Sequence, residues 1–253
     1  MTTNIYDRNK LVMATDSRWS VPYGPWIFYL DDTGYEKILR YRGHSLMFAG
    51  DGTKIQEYKN WIRSNPVDAS GMPPQKGMSV CMIHDESGAV AFRKHQDIDS
   101  ESVLCAGSGS YWAFGCWKEN RCSKQAVETA KSRDQYSGGE MKFVDFATSA
   151  TNLMPAVGQV DMHIDQVTSN ILKRGIAMKV QSLQTGVPNL NFPKVGTPLS
   201  SISEVEARAA AAKLAAAGQL SATAPCNGMH NDWSAEDKEQ FKQALGKMFG
   251  WKD

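Results

Sequence analysis

Thr2 stands directly behind Met1, and an initiator methionine is commonly removed when the next residue is as small as threonine. Removal leaves a hydroxyl and a free α-amine on one residue, a pair that can serve as nucleophile and its own base. Many ordinary proteins also begin Met-Thr, so the pair acquires meaning only from the rest of the chain. Cysteine and histidine offer little competing chemistry. Cys81, Cys105, Cys116, Cys122 and Cys226 form no C-x-x-C pair, and their odd number argues against a disulfide framework. Cys226 and His230 are close Cys/His neighbours, and one ligand pair without two more makes a weak metal site. No metal and no cofactor is therefore expected.

The elements that would have to position Thr2 are legible in outline. Residues 3–50 read as strands joined by tight turns. Ile5-Tyr6 and Leu11 to Ala14 flank the polar turn Asp7 to Lys10, a hairpin signal. Further strands are expected at Trp26–Leu30, Lys37–Leu39 and Ser45–Ala49. Asp51 is placed to cap a helix in which Ile55, Tyr58 and Ile62 recur at helical spacing, and Ser64-Asn65-Pro66 stops it. A second hairpin is expected across Val80–Ile83 and Ala89–Phe92, two helices at 109–117 and 123–133, and a strand at Met141–Val144. This order gives an α+β class with helices covering the outer faces of sheets. From residue 186 the texture changes: Pro188, Pro193 and Pro198, an alanine-rich helix from Ala207 to Ala217, then a Ser/Thr/Pro linker. A last helix opens at Ser234 to Asp237 with a capping box and carries an apolar stripe of Phe241, Leu245, Met248 and Phe249.

Four stretches accompany Thr2 in chain order: Ala14-Thr15-Asp16-Ser17-Arg18; Glu36-Lys37-Ile38-Leu39 ahead of Ala49-Gly50-Asp51-Gly52; the glycine-rich run Ala106 to Gly115; and Arg133-Asp134-Gln135-Tyr136-Ser137-Gly138-Gly139. Together they resemble proteasome β-subunits and the related bacterial ATP-dependent peptidase subunits, members of the N-terminal-nucleophile hydrolases, and fit a divergent bacterial or phage-type member. The resemblance covers residues 2–150. It implies a four-layer αββα sandwich over 2–185, with 186–253 as a C-terminal helical extension.

The resemblance also implies roles. Thr2 would be the nucleophile, Lys37 the ammonium beside it and Asp16 the counter-charge of Lys37. Ser108, Asp134 and Ser137 would support the amine and the water, and the backbone N–H of Gly50 would receive the oxyanion. Arg18 and Phe48 would contribute to substrate binding, with Phe48 at the floor of the primary pocket. Taken singly, Lys37 and Asp16 could form a solvated surface pair, and Ser108 and Ser137 could be cap and turn residues. The implied reaction is peptide-bond hydrolysis by a threonine-type endopeptidase through an acyl-enzyme, inside a homo-oligomeric ring, with a protein or peptide substrate and an ATP-dependent unfoldase as possible partner. Two other readings stay open: a catalytically silent binding or structural protein on the same fold, and a small-molecule amidase.

Composition sets outer bounds. With 253 residues, 42% hydrophobic, the chain can form one large core, alone or with an appendage. A net charge of +1 supplies no basic field for nucleic acid or membrane surface. No run approaches the ~20 apolar residues of a membrane span, and no charged-then-apolar leader precedes Thr2. A cytoplasmic location is expected. The first hairpin is short for the resembled family, a proline-bearing loop at 66–77 replaces a helical layer, and the extension lies beyond its core.

Overall fold

The computed structural model describes residues 2–154, 162–180 and 202–251. Two antiparallel sheets lie face to face between two helical layers, the four-layer α+β sandwich expected above. The first sheet runs in the order β11-β2-β1-β10-β9, from β1 (Asn4–Asp7), β2 (Val12–Thr15), β9 (Ile98–Asp99), β10 (Val103–Ala106) and β11 (Lys142–Asp145). The β1–β2 hairpin forms at the expected turn, because the Asp7 carboxylate accepts from the N–H groups of Asn9 and Lys10, both at 3.0 Å. Helices α2 (Ser110–Asn120) and α3 (Ser123–Arg133) cover its outer face, where Ala113, Trp117, Ala126, Val127 and Ala130 pack against Ile5, Ala14, Val103 and Cys105. Arg121 turns the chain between them in a left-handed conformation, φ 49°.

The second sheet contains β3 (Trp19–Tyr23), β4 (Trp26–Leu30), β5 (Ile38–Tyr41), β6 (His44–Asp51), β7 (Met78–His84), β8 (Val90–Lys94), β12 (Ile176–Lys179) and β13 (Thr223–Ala224). Its order is β12-β4-β3-β13-β6-β7-β8, with β5 paired to β6. Tyr6, Met13, Leu104 and Val144 of one sheet meet Ile38, Met47, Cys81 and Ile83 of the other in a central apolar layer. This alternation follows from the strand period of two: Met47 faces the first sheet while its neighbours Leu46 and Phe48 face the helices.

The outer helical layer holds α1 (Gly52–Arg63), α4 (Ile164–Arg174), α5 (Glu204–Ala216) and α6 (Ala235–Phe249). Asp51 caps α1 by accepting from Thr53 N at 2.8 Å and Lys54 N at 3.2 Å, and Asn65, φ 57°, ends it ahead of Pro66. Ser234 and Asp237 form the capping box that starts α6. The described part of the extension is built into the same core as the rest: Ala207 and Ala211 of α5 and Phe241, Leu245 and Met248 of α6 are buried with Phe48, Ile55 and Tyr58. The segment read from sequence as a linker after α5 contains β13, an inserted strand of this sheet. Pro188, Pro193, Pro198 and the boundary expected at 185/186 lie outside the described residues.

Phe241 shows how firmly α6 is anchored. It is fully buried, with ring centroids 4.7 Å from Phe92, 5.3 Å from Trp233 and 5.8 Å from Tyr58. Phe241→Ala is expected to lower stability by about 3–5 kcal/mol, the usual cost of deleting a buried ring and leaving its cavity. Urea unfolding checks this by a lower midpoint with an unchanged slope.

Candidate active site

Asp16 and Arg18 follow β2, Lys37 directly precedes β5, and Thr2 directly precedes Thr3 and β1. The sandwich brings these chain segments to one place. Thr2, Asp16 and Lys37 are buried, with no more than 1% of any of them exposed. The Lys37 ammonium donates to Thr2 Oγ1 at 2.6 Å and to Asp16 Oδ1 at 2.8 Å, and the Thr2 hydroxyl donates to the same Asp16 oxygen. A buried carboxylate needs every acceptor site used. Thr3 N supplies a further bond to Oδ1 at 2.8 Å, and Gly138 N and Arg18 N donate to Oδ2 at 3.1 and 3.2 Å. Burial pushes the Lys37 ammonium below its ordinary range, and the Asp16 charge opposes that shift. Thr2 Oγ1, Lys37 Nζ and Asp16 Oδ1 therefore form a closed triangle with sides of 2.5, 2.6 and 2.8 Å, in which the hydroxyl donates to the carboxylate and accepts from the ammonium.

A second layer lies behind this one. Asp134 Oδ2 accepts from Ser108 Oγ at 2.5 Å and Ser137 Oγ at 2.7 Å. Ser137 Oγ is also 2.7 Å from Thr3 Oγ1, so a continuous chain of hydroxyls links the Asp134 carboxylate to the residue beside Thr2. The glycines around it are demanded by space. At Gly107, φ 98°, an added Cβ would lie 2.0 Å from the Thr2 carbonyl oxygen; at Gly109 it would lie 1.8 Å from Thr3 Oγ1. Gly109 N also donates to the Thr2 carbonyl at 3.2 Å, fixing the plane of that peptide.

Gly50 is the last residue but one of β6, at φ 130°, with Gly77 O 2.2 Å from where its Cβ would be, so only glycine fits. Two bonds tie β6 to the site just before it. Phe48 N donates to Lys37 O at 2.9 Å, and Asn4 Nδ2 donates to Phe48 O at 3.0 Å.

Two sequence-predicted residues have side chains directed to other partners. Arg18 forms a fork with Asp31, Nε to Oδ1 at 2.7 Å and Nη2 to Oδ2 at 2.9 Å, donates to Gln135 O at 2.7 Å, and lies over the Tyr29 ring. Phe48 is fully buried in the helix-side core. Sequence reasoning missed Thr3, Asn4 and Asp97. Asp97 accepts from Gly107 N at 2.5 Å and from Asn227 Nδ2, and burial raises its carboxyl to about 6. Only the crowded glycine run hinted at close backbone approach here. Among the described residues, no cluster of three or more His, Cys, Asp or Glu is arranged to hold a metal, and no helix is long and apolar enough to cross a membrane.

No protein-family model matches the chain, and no curated protein does. In fold the chain is similar to proteasome-like solved structures. One is BPH of Thiobacillus denitrificans in complex with epoxomicin, at 15% identity and TM-score 0.38, covering 56% of this chain and 96% of that one. Another structure of Thiobacillus denitrificans BPH matches at 14% identity and TM-score 0.40 with the same coverage. Eukaryotic HslV from Trypanosoma brucei matches at 15% identity and TM-score 0.29, covering 50% of this chain and 97% of that one. The likeness is partial and is one of fold.

Proposed function

We propose that this protein is a threonine-type peptidase whose nucleophile is Thr2, exposed as an N-terminal residue by cleavage of the Met1–Thr2 bond. The observation that carries this reading is the contact of Thr2 Oγ1 with both the Lys37 ammonium and the Asp16 carboxylate, which also touch each other, with all three residues buried. A threonine hydroxyl is a weak nucleophile at its own pKa and needs a base beside it. The freed α-amine, with an ordinary pKa of about 7.7–8.0, is partly neutral near pH 7 and can take the proton. Lys37 stabilises the developing alkoxide. Attack on a peptide carbonyl gives a tetrahedral intermediate whose oxyanion is received by the Gly50 N–H. Collapse of that intermediate releases the amine product and leaves an ester on Thr2, and water cleaves the ester. The Ser108–Asp134–Ser137–Thr3 hydroxyl chain orients the amine and that water.

Arg18 and Phe48 enter this reading at one remove from substrate. Arg18 is wedged against Gly138, whose N–H binds Asp16, and the backbone of Phe48 fixes where Gly50 stands. We further propose a cytoplasmic homo-oligomeric ring acting on unfolded protein or peptide, served by an unfoldase. The full burial of Thr2 favours, as second reading, a silent binding protein on this fold.

Hydrolysis of a fluorogenic peptide panel by the parent chain and by Thr2→Ala separates the two. Loss of activity on the order of 10⁴-fold or more is expected, since a nucleophile's removal disables the whole catalytic unit. Equal turnover by both forms would end the proposal.

A further inference from the structure

Strands β3 and β6 of the second sheet are not paired with each other; β13 lies between them, antiparallel to both. Thr223 stands opposite Ser20 and Asp51, and Ala224 stands opposite Gly50. A two-residue strand gains little from its own ladder, and side anchors hold this one. Gly52 N donates to Ala222 O at 3.1 Å, Ala222 N to Thr168 Oγ1 at 2.8 Å, and Thr223 Oγ1 to Ser20 O at 3.2 Å. Downstream, the Asn227 amide donates to Asp97, the carboxylate that also holds Gly107 against Thr2. Ala222, Thr223, Ala224 and Cys226 are all buried.

The residue proposed above to receive the oxyanion thus already faces the chain's own backbone. A peptide carbonyl bound for Gly50 would need the space that β13 holds. The backbone groups that β3 and β6 turn toward β13 are those an extended peptide uses when it adds to a sheet. The segment's side chains are small, and beside it runs a cavity of about 390 Å³ lined in part by Pro22, Asp51, Lys54, Thr223 and Cys226. A longer-chained occupant has room there.

We propose that residues 222–227 form a displaceable internal strand that closes the active cleft, and that an extended polypeptide reaches Thr2 by exchanging with it between β3 and β6. The proposal rests on the catalytic reading of Thr2 and adds a gate to it. The Asn227–Asp97 bond is its latch.

The test uses the full chain, Asn227→Ala and Thr223→Pro, each incubated with a peptidyl epoxyketone while adduct growth on Thr2 is timed by intact mass. Backbone exchange is followed in parallel at 222–226, Ser20 and Gly50–Gly52. Loss of one hydrogen bond at the exposed latch should speed labelling about fivefold, and Thr223→Pro, which lacks an N–H and disrupts pairing, more than tenfold. Exchange should rise together at the strand and at its two neighbours, and labelled protein should have lost protection at 222–226. Parent-like labelling rates in both variants, or a labelled protein in which 222–226 stays protected, overturn the gate and leave the nucleophile in place. If no form is labelled but both variants lose protection on all three strands, the gate stands and the catalytic reading falls. If no form is labelled and neither variant loses that protection, both fall.

Discussion

Lys37→Met should slow acylation of Thr2 by about 10²–10³-fold, the usual effect of removing one group that stabilises a developing oxyanion. The ammonium has two partners, Thr2 Oγ1 at 2.6 Å and Asp16 Oδ1 at 2.8 Å, inside a site without solvent exposure. Methionine matches the length of the stem and keeps the packing, so what disappears is the charge. The same substitution should lower stability by about 3 kcal/mol, the lower end of the range for breaking a buried pair. It falls at the lower end because Asp16 keeps the N–H groups of Thr3, Arg18 and Gly138. Adding Asp16→Asn removes the stranded charge. Its amide N–H₂ would face a backbone N–H donor at either oxygen position, so the double variant should regain no stability in urea unfolding, and its acylation should stay slow. Restored acylation in the double variant would mean that Lys37 acts on the fold and not on the nucleophile.

Gly107→Ala is the second large effect. The new methyl would lie 2.0 Å from the Thr2 carbonyl oxygen and 2.8 Å from Thr2 Cγ2, on a backbone at φ 98° that L side chains rarely adopt. Both contacts are with Thr2 itself, so relief requires moving the nucleophile. A displacement of about 1 Å costs on the order of 10²-fold in rate, and overpacking of this kind costs about 1–3 kcal/mol before the backbone strain is added. Gly43→Ala is the matched control. Gly43 also has positive φ, 69°, but nothing lies within 4 Å of the added methyl. It should cost about 1 kcal/mol and leave acylation unchanged. Thermal melts with acylation rates for both variants decide whether Gly107 is there for Thr2 or only for its turn.

Elements with strong local signals could be read from the sequence. The Asp7 turn fixed the first hairpin, Asp51 the start of α1, and the Ser234–Asp237 box the start of α6, because each side chain completes backbone bonds a few residues away. The order of layers came from the resemblance alone; the alternation of Met47 against Leu46 and Phe48 emerges from the structure. The side-chain cluster of Thr2, Asp16 and Lys37 was legible only by resemblance, since no spacing rule brings residues 2, 16 and 37 together. β13 was read as linker because two residues carry no period; it is a strand because β3 and β6 leave facing edges for it. Thr3 was hidden for a different reason. Its hydroxyl gains a role only when Ser137 arrives from a distant segment. Arg18 was read toward substrate, and its planar fork is instead engaged by Asp31, a partner on the turn after β4.

The most direct measurement is intact mass with peptide mapping before and after prolonged incubation with epoxomicin, on the parent chain, Asn227→Ala and Thr2→Ala. Our account predicts a chain lacking Met1 that gains one adduct on Thr2 in the first two forms and none in Thr2→Ala. A chain that retains Met1 and gains no adduct in any form would contradict it.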